Sequence, residues 1–265
     1  MNVFLRELRM YRASTITWTV SLAGTIMLFM SMYPALAREI DDFVQILAGF
    51  PEVVLKAFSI SLDTIGLLTG YYAYVFTFIM LAGGIQAMSL GLSLLSKESR
   101  DKTADFLMTK PITRNEIVTA KLSAALTVLL ITNAGYLTAG YAICRLVGTS
   151  DVNLKLFFMI SITMLFVQLI FMALGLLVSV FARKIKNVLP VSLGTVFAFY
   201  IINILSSATD DAKLRYLTPF QYFDPNRIQM TAQYETVFVV LTALFVPAAI
   251  LASYIIYNKK DIHAL

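Results

Sequence analysis

Residues 156–181 read LFFMISITMLFVQLIFMALGLLVSVF, twenty-six consecutive positions without an Asp, Glu, His, Lys or Arg. As an α-helix this run measures about 39 Å, more than the roughly 30 Å of a bilayer's hydrocarbon core. No water is present at that depth, so the backbone must satisfy its own hydrogen bonds, as a helix does. Five further segments meet the same standard: 16–36, 70–96, 120–144, 188–207 and 236–257. The only charged side chain among the six is Lys121, near the start of its segment, where a lysine is expected to snorkel to the interface. The reading is an all-α membrane protein with six transmembrane helices in a single domain over residues 1–265.

Composition agrees. Apolar and aromatic residues make up 58% of the chain and charged residues 14%, about half the charged share of a soluble domain. The net charge of +5 is explained by basic residues flanking spans, so no nucleic-acid partner is expected. Cys144 is the sole cysteine and His263 the sole histidine. An internal disulfide is therefore impossible, and no metal centre built on a histidine cluster is expected. The "ALA" at 35–37 imitates a signal-peptidase site, but the apolar run before it is longer than a cleavable core of about 7–15 residues. The first segment therefore reads as an anchor.

Lysines and arginines set the orientation. Fourteen fall on the side holding both termini, residues 97–121 and residues 183–186; seven fall on the other side. Both termini are expected in the cytoplasm of a cell-membrane protein. The opening "MNVFLRELRMYRAS" places Phe4, Leu5, Leu8 and Tyr11 near one helical face, with Arg6, Arg9 and Arg12 at the headgroup side. That is the pattern of a short interfacial helix, and also of a plain positive flank. On the outer side, residues 37–69 are too apolar for a free loop and read as short amphipathic helices on the membrane surface. The second outer stretch, 208–235, carries Tyr216, Phe220, Tyr222, Phe223 and Tyr234, rings expected at the headgroup level.

The exception to this apolar chain is "KESRDKTADFLMTKPITRNEIVTAK", residues 97–121. Good helix formers run to Lys110, and Pro111 stops them. "TRNE" at 113–116 is a capping box, with Thr113 as cap and Glu116 reaching back. The segment reads as a short cytoplasmic helix, a turn, and a freshly capped helix rising into the third span. A solvated flank would need only Lys and Arg. Here charges of both signs accompany Phe106 and Leu107, apolar residues held outside the bilayer, which is the surface of a docking plug.

Glu98, Thr103, the pair Phe106-Leu107, Pro111, Arg114, the pair Glu116-Ile117 and Lys121 together resemble the cytoplasmic loop of ABC type-2 permeases, the membrane subunits of ATP-driven exporters. "FLRELRMYR" at 4–12 resembles that family's connecting helix. "LTPFQYFDP" at 217–225 is similar to its aromatic segment before the last span, and "IIYNKKDI" at 255–262 to its basic ending. The resemblance implies that 97–118 is a coupling region whose short helix enters a cleft on a separate ATPase. It also implies two ATPase copies carrying ATP and Mg, and a second permease, identical or a sibling, with the first and fifth spans near a two-fold interface. Glu98, Arg100, Asp101, Lys102, Thr103, Phe106, Leu107, Pro111 and Arg114 are then the coupling candidates. No G-x-x-x-x-G-K-[ST] loop occurs in these 265 residues, so ATP is expected on the partner, and this chain is expected to have no catalytic residues and no cofactor.

A transport path is sought among polar residues within the spans. Gln86, Ser89 and Ser93 share one face of the second, Gln168, Gly175 and Ser179 one of the fourth, and Ser192, Thr195, Phe199, Asn203 and Ser206 one of the fifth. Such groups also join helices to each other. Gly83, Ala87 and Gly91 have small-residue spacing, which serves packing within the chain or against a second copy. With no mid-membrane charge a proton relay lacks its groups, and weakly polar and aromatic walls fit a hydrophobic or amphipathic cargo. Two other classes stay open: an ion-coupled transporter or channel, and an intramembrane enzyme, for which no catalytic group is visible.

Overall fold

The computed structural model describes residues 3–101, 113–147, 153–182, 185, 187–209 and 211–259, with side chains except at 97–101. Among them are twelve helices and no strand. These are α1 (Val3–Ser31), α2 (Tyr33–Arg38), α3 (Ile40–Ala48), α4 (Glu52–Ala57), α5 (Leu68–Asp101) and α6 (Arg114–Val147), then α7 (Leu154–Phe181), α8 (Val188–Thr209), α9 (Ala212–Arg215), α10 (Pro219–Tyr222), α11 (Pro225–Thr231) and α12 (Thr236–Lys259). Six of them, α1, α5, α6, α7, α8 and α12, are long and apolar enough to cross a membrane.

The six long helices alternate in direction. The start of α6 lies beside the end of α12, and the start of α5 beside the end of α1, where the Tyr71 hydroxyl donates to the Phe29 carbonyl at 3.1 Å. Helices α5 and α7 pack along most of their length and form the centre, while α1 lies along α6. The central contact depends on two glycines. A Cβ on Gly91 would stand 2.2 Å from the Met172 carbonyl oxygen, and one on Gly175 would stand 2.7 Å from that of Met88. The small-residue spacing read in the second span is thus used within the chain, at a place where two backbones touch.

Sequence and structure part at the start of the first span. Residues 3–31 form one unbroken helix, so the expected interfacial helix is not a separate element. At the far end α1 closes at Ser31 and α2 follows with Pro34 in its first turn, where a missing N–H costs nothing; together they form one candidate span, Val3–Arg38. The short helices expected within 37–69 are present as α3 and α4, with Tyr33 donating to the Gly66 carbonyl at 2.9 Å to fold the stretch back. At the other end of the bundle α5 continues to Asp101, so the first residues of the charged segment extend the second span. The rest of that segment, including Lys102, Thr103, Phe106, Leu107 and Pro111, lies outside the described residues, as do the side chains of Glu98, Arg100 and Asp101.

The second far-side stretch also departs from expectation. Thr218 donates to the carbonyl of Phe199 at 2.9 Å, ten residues before the end of α8, a depth of about 15 Å along that helix. The segment 216–223 therefore folds back into the bundle. Phe220 and Phe223 are 4% and 2% exposed, not at the headgroup rim. Phe220 packs on Phe171 with ring centroids 5.2 Å apart, and Phe223 on Phe166 at 5.1 Å. Burying two phenyl rings is worth more than the interfacial preference of either.

Candidate functional site

Two regions hold the residues singled out above: the polar interior with an adjoining crevice, and the start of α6. In the interior, Gln86 on α5 donates to the Thr132 hydroxyl on α6 at 2.9 Å, and the Gln168 side-chain amide on α7 donates to Gln86 Oε1 at 3.1 Å. Asn133 donates in turn to Gln168 at 2.5 Å, and Thr19 on α1 donates to Thr132. Gln86 and Gln168 are fully buried. The chain of amides and hydroxyls joins α1, α5, α6 and α7, and each named contact goes to another residue of this chain. Nearer the far end a second joint links Tyr72 to Tyr136 at 2.6 Å and to Ser161 at 2.7 Å. Sequence reading found Gln86 and Gln168 but missed Thr19, Thr132, Asn133 and Tyr136. The signal was the run "TNAGY" at 132–136, polar positions at the depth of the two glutamines.

The residues singled out on the fifth span divide between packing and a surface. Ser192 is buried and bonds its own helix at Val188. Asn203 is buried and accepts from Gln221 of the folded-back segment at 3.0 Å. Thr195 is half-buried. Phe199 lines a crevice of about 230 Å³ with Ile170 and Leu174 of α7, Leu217, Pro219 and Tyr222 of the folded-back segment, and Leu241, Thr242 and Phe245 of α12. Two hydroxyls stand on its wall, and each is already used. Thr242 donates to Phe238 at 2.8 Å and Tyr222 to Tyr216 at 2.6 Å. The crevice wall is therefore mainly hydrocarbon. Above it, Glu235 pairs with Arg215 at 2.5 Å and Arg227 at 3.3 Å. Burial pushes the nearby Asp224 carboxyl up from its ordinary value, against the pull of the Asn226 amide and the two guanidiniums.

At the start of α6 the capping box is formed as read. The Glu116 amide donates to the Thr113 hydroxyl at 3.3 Å, and the Thr113 amide to the Glu116 carboxylate at 2.8 Å. Arg114 donates to the Asn258 carbonyl of α12 at 3.3 Å. Lys121 corrects an expectation. It does not snorkel outward: it is 1% exposed, and its ammonium donates to the Leu94 carbonyl of α5 at 2.6 Å. The interior offers a carbonyl on α5 within short reach, and the ammonium donates to it instead of to water.

Among known proteins, the family model described as ABC-2 family transporter protein matches residues 1–262. No curated protein and no solved structure matches the chain. A match over almost the full length, on six helices of spanning length whose third is entered through the capped turn read above, settles the family. The chain is a multi-pass membrane protein and belongs to the ABC-2 transporter family.

Proposed function

We propose that this chain is the membrane-spanning permease subunit of an ABC exporter, with both termini in the cytoplasm. It pairs with a second permease, identical or a sibling, and with two copies of a separate ATPase that binds ATP and Mg. Together they export a hydrophobic or amphipathic cargo: a drug, a lipid-like molecule or a membrane-active peptide. The observation that carries this reading is the family match over residues 1–262. The apolar crevice containing Phe199 and the absence of a phosphate-binding loop in the 265 residues support it.

On this reading Phe106 and Leu107 form the apolar plug in the ATPase, ringed by Glu98, Arg100, Asp101, Lys102 and Arg114. Replacing both plug residues by Ala removes about 2–4 kcal/mol of contact if both are buried in the partner. The test is purification from membranes with identification of what accompanies the chain, followed by ATP hydrolysis in liposomes. The wild type is expected to bring down an ATPase and, stripped of it, to bind no nucleotide. The double Ala variant is expected to insert normally and lose the partner. Nucleotide binding by the stripped chain would overturn the division of labour. A double variant that keeps its partner and full activity would overturn the plug.

A further inference from the structure

The first two turns of α6 are held on both sides. Lys121 fixes them to α5 through the Leu94 carbonyl at 2.6 Å. On the other side lies a cluster of contacts to the last turns of α12. Arg114 donates to the Asn258 carbonyl at 3.3 Å, and the Asn258 amide donates to the Asn115 side-chain oxygen at 2.7 Å. Thr119 donates to the Asn115 carbonyl at 2.8 Å, so Tyr254, 2.8 Å from the same hydroxyl, donates to it. The Arg114 contact is favoured twice. Asn258 is in the last turn of α12, where carbonyls have no partner within the helix, and a cation there meets the negative end of the helix dipole.

Helix α12 is otherwise loosely placed. Its buried stripe is Phe238, Thr242, Ala249 and Ser253, chiefly against α7, while Val240, Leu244, Leu251 and Ile255 face outward. Pro247 divides it. Proline lacks the N–H that would bond the Ala243 carbonyl, so this turn is the softest in the helix. On one side of it Leu241, Thr242 and Phe245 line the crevice. On the other side are Tyr254 and Asn258.

We infer that Arg114, Asn115 and Thr119 with Tyr254 and Asn258 form a clasp that passes movement at the entry of α6 to the inner half of α12, which pivots at Pro247 against the half that lines the crevice. These are positioning residues, and their role in transport rests on the permease reading above. Spin labels at Leu189→Cys and Leu251→Cys, both on exposed residues, follow the inner half of α12 against α8. The sole native cysteine, Cys144, is buried. In the full assembly, ATP with vanadate is expected to shift this distance. With Asn115→Ala and Thr119→Val together, the resting distribution is expected to broaden and the shift to fall to less than half; Thr119→Ser alone, which keeps the hydroxyl, is expected to behave as wild type. An unchanged resting distribution overturns the clasp as a positioning contact. A broadened one with an undiminished shift overturns transmission. If no ATPase accompanies the wild type, the permease reading fails, and the resting distribution alone then judges the clasp.

Discussion

Lys121 and Ala232 are two residues whose side chains were plain in the sequence and whose circumstances were not. A lysine near the end of an apolar run has two ways to meet its charge, outward to water or inward to a carbonyl, and the choice depends on where α5 ends. Nothing near position 121 in the chain says where Leu94 will lie. Ala232 is a local matter. It closes α11 in the left-handed region at φ 51°, its N–H bonded to Ile228 at 2.8 Å. An L-residue pays about 1–2 kcal/mol there, and glycine returns part of the gain through its freer unfolded chain. Ala232→Gly is expected to stabilise the protein by about 0.5–1 kcal/mol, seen as a rise of about 1–4 °C in thermal unfolding midpoint. A lower midpoint would mean that the helix end is held in some other way.

At the scale of helices, the glycines of the central pair give a graded test. Alanine at Gly91 would meet backbone of α7 at 2.2 Å, which no side-chain rotation relieves. Gly91→Ala is expected to cost about 1–3 kcal/mol or to push the two helices apart. At Gly24 and Gly194 an added Cβ meets nothing within 4 Å, so alanine there is expected to be neutral or mildly stabilising. Thermal unfolding of the three variants in one detergent checks the order; equal behaviour would dissolve the claim that α5 and α7 touch at Gly91. Helices of this kind were legible in outline. Lengths above twenty apolar residues and the capping box at Thr113 and Glu116 depend on residues near each other in sequence, and both are found. The folded-back segment 216–223 was not legible, because its burial is decided by the distant Phe166, Phe171 and Phe199. The polar joint between Gln86 and Gln168 was half legible: the amides could be seen, their pairing across eighty-two positions could not.

For the whole molecule, the surface and the charge have to agree on how the chain sits in the bilayer. Large apolar side chains face outward along five of the six long helices, among them Val20 and Leu28 on α1, Leu130 on α6, Ile162 on α7, Ile201 and Leu205 on α8, and Leu244 and Leu251 on α12. Hydrocarbon is the medium in which that exposure is inexpensive. Orientation rests on a different quantity, the fourteen-to-seven division of Lys and Arg between the two sides, which favours the basic side in the cytoplasm. Three of the seven far-side cations are paired with carboxylates: Arg215 and Arg227 share Glu235, and Lys56 pairs with Glu52 at 3.0 Å. Single cysteines introduced in sealed cells decide the matter. Cys144 is buried and contributes little background. An impermeant maleimide is expected to label exposed positions such as Val53 and Met230 and to leave Asn115 and Glu116 unlabelled until the membrane is opened. The reverse pattern would invert the chain. It would place the charged segment outside the cell, and it would remove the cytoplasmic ATPase from any contact with Arg114.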